Sequence, residues 1–164
     1  MNAPPQFAPQ FDLRGVDGKR YSPAAARGDK GLLVMFICNH CPYVKRAIDR
    51  IVRDCKELAP LGIGSIAVMS NDPSDYPEDS FDNMQRVARE KAFPFPYVID
   101  ETQDVARAYG TVCTPEFFGF DAKLELQYHG RVDELLKAMR QIAETGSGPK
   151  EQIPSVGCSI KWKK

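Results

Sequence analysis

The sequence lacks an excess of charge of either sign and any apolar run of transmembrane length. Its 164 residues include 22 Lys plus Arg and 22 Asp plus Glu, so the formal net charge is zero. A balanced charge gives no electrostatic reason to expect nucleic acid or an anionic membrane as a partner. Residues 1–7 also lack the basic and apolar regions of a signal peptide. We therefore expect a cytoplasmic protein with neither nucleic-acid nor membrane partners.

The sequence also lacks an internal repeat and any linker long enough to divide it. Its length is sufficient for one hydrophobic core, and a hydrophobic content of 43% is ordinary for a globular protein. We expect one domain over residues 1–164. Within it, residues 1–10 should be loose, and residues 146–164 should form a C-terminal tail.

Cysteines are few, and their number is odd. Five cysteines argue against a structural disulfide framework, and a CxxC pair in a reducing compartment is more often redox-active or metal-binding. Cys55 lies on the apolar face of a predicted helix, so it is expected to be an inert core residue. The candidates for chemistry are the other four, namely Cys38, Cys41, Cys113 and Cys158.

Cys38 and Cys41 form a CxxC pair between a predicted strand and a predicted helix. The continuous apolar run of residues 32–37 is typical of a buried parallel strand. After the pair, apolar residues recur at three- and four-residue steps over residues 44–59, which predicts a helix. Proline is favoured at the first helical position, so Pro42 should begin this helix and Cys41 should be its N-cap.

This placement predicts that Cys41 is the attacking thiolate. Helix N-termini lower cysteine pKa values because their unpaired N–H groups and the macrodipole favour negative charge. Lys45 adds a cation one turn further on, and Cys38 lacks this field, so Cys38 is expected to be the resolving partner. His40 would favour a neighbouring thiolate as an imidazolium; the alternative is a solvated turn residue.

The rest of the chain predicts an α/β fold with a central mixed β-sheet flanked by helices and an N-terminal β-hairpin. An Asp-Gly turn within residues 11–22 predicts that hairpin, and alternating strands and helices favour parallel pairing. The other expected elements are strands at 63–69, 97–99, 116–120 and 124–128, and helices beginning near Ser80, Asp104 and Asp133. Cys41 should then lie beyond the carboxyl end of a central strand, where open α/β sheets place their sites.

Two groups of polar residues are expected at the surface. Leu124, Leu126 and Tyr128 share one face of a predicted strand, so His129 falls on the polar face. The loop after residues 63–69 should be solvated rather than metal-binding; its polar residues are Asn71, Asp72, Asp75, Glu78 and Asp79.

Several stretches together resemble a known family. They are residues 38–44, 70–72, 76–80, 95–100, 109–118 and 128–133. From about Phe11 to Arg131 the chain resembles the thioredoxin fold, and more closely the peroxiredoxin-like branch of the AhpC/TSA redoxin superfamily. The resemblance implies that Pro115 is a cis-proline beside the active thiol, that Thr114 pairs through its backbone with an extended thiol substrate, and that Cys113 lies near Cys41.

The same resemblance indicates which thiols can react. Alignment with thioredoxin places Cys41 at the nucleophilic position and Val44 at the position of the second cysteine, so Cys38 or Cys113 must resolve the mixed disulfide. Met35 stands where thioredoxins bury an acid. Relative to peroxiredoxins, Cys38 replaces a threonine and Val34 replaces a proline, which argues against efficient peroxide activation.

Cys158 has two interpretations. It is either a distant resolving cysteine or a packed thiol in a docked tail anchored by Trp162. We prefer the second, because free cysteine is commonly a small buried hydrophobe.

Three functions follow from these patterns. The first is a thiol–disulfide oxidoreductase that acts on protein or small-molecule disulfides and is recycled by a thiol reductant such as a thioredoxin or glutathione system, without a cofactor. The second is a thiol peroxidase. The third, ranked lowest, is a non-catalytic site for zinc or another thiophilic metal formed by Cys38, His40, Cys41 and Cys113.

Overall fold

Strands and helices alternate in the structure as the apolar spacing predicts. The computed structural model describes residues 3–164. The elements are β1 (Leu13–Gly15), β2 (Arg20–Tyr21), α1 (Pro23–Ala26), β3 (Gly31–Phe36), α2 (Pro42–Leu58), β4 (Ile63–Met69), α3 (Phe81–Glu90), β5 (Tyr97–Ile99), α4 (Asp104–Tyr109), β6 (Cys113–Thr114), β7 (Glu116–Asp121), β8 (Leu126–Gly130), α5 (Leu135–Thr145) and β9 (Cys158–Ser159). Short 3₁₀ turns cover Ala59–Leu61, Pro77–Asp79 and Val132–Glu134.

The main sheet is mixed and has the strand order β2-β1-β5-β4-β3-β7-β8. Strand β3 pairs in parallel with β4, which pairs in parallel with β5. The predicted hairpins supply the antiparallel strands: β1 joins β5 at one side, and β7 joins β3 at the other. Strands β6 and β9 form a separate two-stranded sheet.

Strand β3 is central because its residues are apolar on both faces. Leu33 and Met35 pack into the core under α2, α3 and α5, whereas Leu32, Val34 and Phe36 pack into the core that includes α4. All five are 0% exposed. Burial of each such side chain stabilises the fold by roughly 1.5–3 kcal/mol, so β3 fixes the end at which the CxxC pair emerges.

Helix α2 begins where proline predicts. Pro42 is its first residue, Cys41 is the N-cap, and the Lys45 N–H donates to the Cys41 carbonyl at 2.9 Å. The helix ends at Leu58, and Gly62 in the left-handed region (φ 88°) closes the 3₁₀ turn that follows.

The N-terminal segment is not loose, contrary to expectation. The Leu126 N–H donates to the Gln6 carbonyl at 2.7 Å, and the Ala8 N–H donates to the Leu124 carbonyl at 2.9 Å. The Tyr109 hydroxyl donates to the Pro9 carbonyl, and Ala8 is 7% exposed. Residues 6–9 are therefore fixed against the β7–β8 hairpin; Met1 and Asn2, part of the same expectation, lie outside the described residues.

The second hairpin differs from the prediction by a β-bulge. Strand β8 covers Leu126–Gly130, and its pairing with β7 shifts so that Gln127 has no partner of its own. One extra residue reverses the alternation of side chains. His129 therefore lies against Phe118, with ring centroids 4.4 Å apart, and the prediction of a plain surface position was wrong.

Within residues 3–164, no helix is long and apolar enough to span a membrane.

Candidate active site

The CxxC pair meets the loop that precedes β7. In its thiol form, Cys41 donates to the Thr114 carbonyl at 3.4 Å, and Cys38 Sγ lies 3.5 Å from Thr114 Oγ1. The Thr114–Pro115 peptide bond is cis, as the family resemblance implies. Cys41 is 0% exposed and Cys38 is 2% exposed, so both sulfurs are covered.

The two thiols of the pair have opposite tendencies to ionise. The Cys38 thiol is the largest influence lowering the pKa of Cys41; the Cys158 thiol and the backbone N–H groups of Val44 and Cys158 lower it further, against the effect of burial. The neighbouring Cys41 sulfur, followed by burial, raises the pKa of Cys38 well above its ordinary value. Cys41 is therefore the sulfur that the surroundings favour as a thiolate, in the direction expected from the helix N-terminus.

Lys45, the cation expected to favour the Cys41 thiolate, contributes less than the neighbouring thiols do. Lys45 is exposed, and its Nζ pairs with Glu78 Oε2 at 3.3 Å. The neighbouring Cys38 and Cys158 thiols, followed by the Val44 N–H in the first turn of α2, lower the pKa of Cys41 instead.

Cys113 is close to the site but is held by a carboxylate. Its Sγ lies 3.6 Å from Glu116 Oε1. Burial, followed by the charge of Glu116, raises the pKa of Cys113 to about 12. A thiol in this position stays protonated near neutral pH and is a weak nucleophile.

Glu116 organises the loop that carries Thr114 and Pro115. Its carboxylate is 4% exposed and accepts hydrogen bonds from Thr111 Oγ1 at 2.6 Å and from the Val112 N–H at 3.2 Å. His129 Nε2 is 2.5 Å from the other carboxylate oxygen. Burial would raise the pKa of Glu116, but the bonds from His129 and Thr111 lower it. Sequence reasoning missed this role, because it treated Glu116 as an ordinary strand residue.

Asp79 organises the CxxC loop from beneath, so the prediction of a solvated acidic loop was wrong here. It is 0% exposed, and its Oδ1 accepts from the backbone N–H groups of Asn39 and His40 at 2.7 and 3.1 Å. Its Oδ2 lies 2.5 Å from His40 Nδ1 and accepts from Asn71 Nδ2 at 3.0 Å. Asn71 is buried as well.

His40 is accordingly not a free turn residue. Its side chain is 12% exposed, pairs with Asp79, and stacks on Tyr76 with ring centroids 4.5 Å apart. These contacts fix the imidazole beside the CxxC pair and direct its Nδ1 at Asp79.

The structure also brings together a possible set of metal ligands. One ligand atom each from Cys38, His40 and Asp79 lies within 4.8 Å of the others. Such atoms suit zinc, but a structural zinc site takes four ligands. Among the described residues this group offers three, and it does not include Cys41 or Cys113, which the third hypothesis requires.

The C-terminal tail docks onto the same loop, as expected, but not through Trp162. Strand β9 pairs antiparallel with β6, with Cys158 opposite Thr114. The Ile160 N–H donates to the Val112 carbonyl at 3.0 Å, and the Ile160 side chain is 3% exposed. Trp162 is 39% exposed, so Ile160 is the buried anchor.

Two buried amides bind the main chain of the tail beyond β9. Asn71 Oδ1 accepts from the Lys161 N–H at 2.9 Å. Gln103 Nε2 donates to the Lys161 carbonyl at 2.9 Å, and Gln103 Oε1 accepts from the Lys163 N–H at 3.0 Å. Since Asn71 also binds Asp79, one hydrogen-bond chain links the tail to the CxxC loop.

A groove of about 320 Å³ runs beside the tail and the cis-proline. Tyr43, Pro115 and Val156 contribute to its apolar surface, and Arg50 and Arg131 contribute charge. The groove lies beside Pro115, on the loop whose Thr114 carbonyl contacts Cys41.

The sequence matches the AhpC/TSA family over residues 4–129. The chain belongs to this family. Its thioredoxin-like redoxin fold and the implied redox chemistry agree with the thiol site. No curated protein sequence matches the chain.

Solved structures show the same architecture. An uncharacterized conserved protein from Geobacillus kaustophilus is 40% identical with a TM-score of 0.93, and the match covers 99% of this chain and 94% of that one. A hypothetical protein from Sinorhizobium meliloti is 30% identical with a TM-score of 0.94, covering 99% and 96%. A thiol:disulfide interchange protein from Chlorobium tepidum is 22% identical with a TM-score of 0.68, covering 88% and 97%, and this likeness shows the fold alone.

Proposed function

We propose that the chain is a thiol–disulfide oxidoreductase in which Cys41 is the attacking thiolate. The observation that carries this proposal is the placement of Cys41 at the N-cap of α2, with its Sγ against the Thr114 carbonyl. In this position the Cys38 thiol is the main influence that lowers the pKa of Cys41. A thiolate, not a thiol, attacks disulfides.

The reaction has two steps. The Cys41 thiolate attacks one sulfur of a substrate disulfide, forms a mixed disulfide and releases the other sulfur as a thiolate. A second protein thiol then loses its proton and attacks Cys41 Sγ, which releases the remaining substrate sulfur. The substrate gains two electrons, and the protein is left with a disulfide that a thiol reductant must reduce.

Of the two resolving thiols that the sequence leaves, Cys38 is better placed than Cys113. Cys38 and Cys41 both contact Thr114. Cys113 Sγ instead lies 3.6 Å from Glu116 Oε1, and the charge of Glu116 opposes its ionisation. Thr114 and Pro115, whose loop contacts Cys41 Sγ, are proposed to position the substrate. Protein or small-molecule disulfides are the proposed substrates, and a thioredoxin or glutathione system in the cytoplasm is the proposed source of electrons.

The test is reduction of insulin or of a small disulfide by the purified protein. We expect Cys41→Ser to abolish turnover and Cys55→Ser to leave it near the wild-type level, because Cys55 is a buried thiol with a pKa raised to about 12 by burial. The thiolate ultraviolet absorbance should show a sulfur ionised below the ordinary cysteine pKa in the wild type but not in Cys41→Ser. Equal turnover by Cys41→Ser, or a Cys41 that stays protonated beyond neutral pH, would contradict the proposal.

Peroxide reduction is the second candidate, because a thiolate with a lowered pKa also reacts with peroxides, giving a sulfenic acid and then a disulfide. The site offers Cys38, rather than a hydroxyl donor, three residues before Cys41. We therefore expect peroxide consumption no faster than that of free cysteine. A rate orders of magnitude above it would favour the peroxidase instead.

A further inference from the structure

The C-terminal tail lies where an extended substrate is expected. Thr114 exposes a strand edge next to the cis-proline, and the family resemblance assigns that edge to the substrate. In this chain the edge is already paired, because Cys158 lies opposite Thr114 and Ser159 lies opposite Cys113. Position 157 approaches the Thr114 backbone so closely that only glycine fits there, because a Cβ on Gly157 would lie 1.9 Å from the Thr114 carbonyl oxygen.

This pairing places Cys158 opposite Thr114, the residue whose carbonyl contacts Cys41. The Thr114 carbonyl contacts Cys41 Sγ at 3.4 Å, and the thiol and backbone N–H of Cys158 help to lower the pKa of Cys41. Cys158 is partly exposed, whereas Cys38 is covered at 2% exposure. The tail thiol therefore approaches Cys41 from the outer side, on a segment that can leave and return.

Any external substrate must displace this segment. Cys41 is 0% exposed with the tail docked, so a disulfide reaches its sulfur only when β9 has separated from β6. Redocking then returns a thiol of the same chain to the site, and intramolecular thiols compete effectively because their local concentration is high.

We propose that the C-terminal tail occupies the substrate edge of this site, and that Cys158, rather than Cys38, is the resolving partner of Cys41 in the oxidised chain. The proposal rests on the proposed function, which makes Cys41 the attacking thiolate. A small-molecule disulfide first forms a mixed disulfide with Cys41 and releases one thiolate. Cys158 then loses its proton and attacks Cys41 Sγ, which forms the Cys41–Cys158 bond and releases the second substrate thiolate. The two cysteines lose two electrons, and the small disulfide gains them.

Peptide mapping tests the pairing directly. The full chain is treated with oxidised glutathione, free thiols are alkylated under denaturing conditions, and a tryptic digest is examined by mass spectrometry. We expect residues 31–45 to be linked to residues 151–161, with fragmentation placing the bond at Cys41. A bridge confined to residues 31–45, or a link to residues 108–123, would overturn the assignment of Cys158 while leaving Cys41 reactive. A Cys41 that does not react at all would overturn the proposed function, and this inference with it.

A second variant tests the docking without removing any cysteine. Gly157→Ala should separate β9 from β6, because its Cβ cannot fit against the Thr114 carbonyl. We expect alkylation of Cys41 in the reduced protein to become several times faster and the link to residues 151–161 to decrease. The matched control is Ser159→Ala, which alters an exposed side chain on the same strand and should alkylate at the wild-type rate. Wild-type alkylation and linkage in Gly157→Ala would contradict the proposal.

Discussion

At the scale of single residues, the site depends on a carboxylate remote from it in sequence. Asp79 binds two backbone N–H groups of the CxxC loop, although it lies 40 positions from Asn39. It also binds the imidazole of His40 and the amide of Asn71. A buried carboxylate with several donors rigidifies a loop because each donor would otherwise be left unsatisfied.

Replacement of Asp79 tests this role. Asp79→Asn keeps the size of the side chain but loses the charge and one acceptor atom. We expect the free energy of unfolding, measured in urea, to fall by about 1–3 kcal/mol. Glu78→Gln is the matched control: its carboxylate is 61% exposed and pairs with Lys45, so the change should be within about 0.5 kcal/mol. Equal stabilities for the two variants would show that Asp79 does not support the loop.

The sequence could predict the position of Cys41 but not the burial of Asp79. Pro42 determines the start of α2 through a local steric rule, so Cys41 follows from two adjacent residues. The burial of Asp79 depends on β3 and β5 lying in one sheet. Asn39, which follows β3, donates to Asp79 and accepts a hydrogen bond from the hydroxyl of Tyr97 in β5. No pattern in the neighbouring sequence distinguishes a loop carboxylate that becomes buried from one that stays exposed.

At the scale of elements, helix α2 contains an imperfectly paired carboxylate. Asp54 is a charged residue, yet it is only 1% exposed. Within residues 3–164 its Oδ2 has no hydrogen-bond partner, and the nearest cations, Arg50 and Arg53, are 4.0 and 3.9 Å away. Burial is the main cause that raises the pKa of Asp54. The folded protein therefore binds the Asp54 proton more tightly than the unfolded chain does.

This arrangement predicts that Asp54→Asn stabilises the protein at neutral pH. Because the folded pKa of Asp54 lies above the unfolded value of about 3.9, wild-type stability should fall as the pH rises through the window between them. Asparagine does not ionise, so Asp54→Asn does not lose stability as the pH rises. The variant should be more stable than the wild type by about 1 kcal/mol at pH 7, and the two stabilities should converge below the unfolded pKa. Thermal unfolding across this pH range measures it. Asp49→Asn, an exposed change on the same helix, should show no such window; a pH-independent difference in Asp54→Asn would refute the explanation.

Element boundaries were predictable where periodicity was strong and failed at irregularities. The apolar stripe of α2 and the two-sided run of β3 are long, local signals. The bulge at Gln127 is a single residue that leaves no mark in the alternation of Leu124, Leu126 and Tyr128. It nevertheless moves His129 from the expected surface to the buried Glu116.

At the scale of the whole molecule, both described chain ends pack on the sheet or its loops. Residues 6–9 pair with the β7–β8 hairpin, and residues 158–163 bond to the loop that carries Thr114 and to the amides of Asn71 and Gln103. The pairing of Cys113 with Ser159 and of Thr114 with Cys158 joins residues 46 and 44 positions apart, which no local sequence pattern predicts. Sequence reasoning therefore predicted a docked tail without predicting its place.

Exposure of Cys41 requires the tail to open while the sheet stays folded. We expect the amides of Ile160 and Lys161 to exchange with solvent through a local opening of lower free energy than the amide of Ile37, which donates to the Val68 carbonyl beside β3. Native-state hydrogen exchange measures both. Gly157→Ala should accelerate the tail amides alone, and a common opening energy for all three amides would show that the tail does not move independently.

Asn71 and Gln103 contact residues 161 and 163 only through peptide N–H and C=O groups. Every residue type other than proline presents those groups. The main-chain bonds at positions 161 and 163 therefore survive a change of side chain during evolution, and a proline at 161 or 163 is the change that natural selection should exclude.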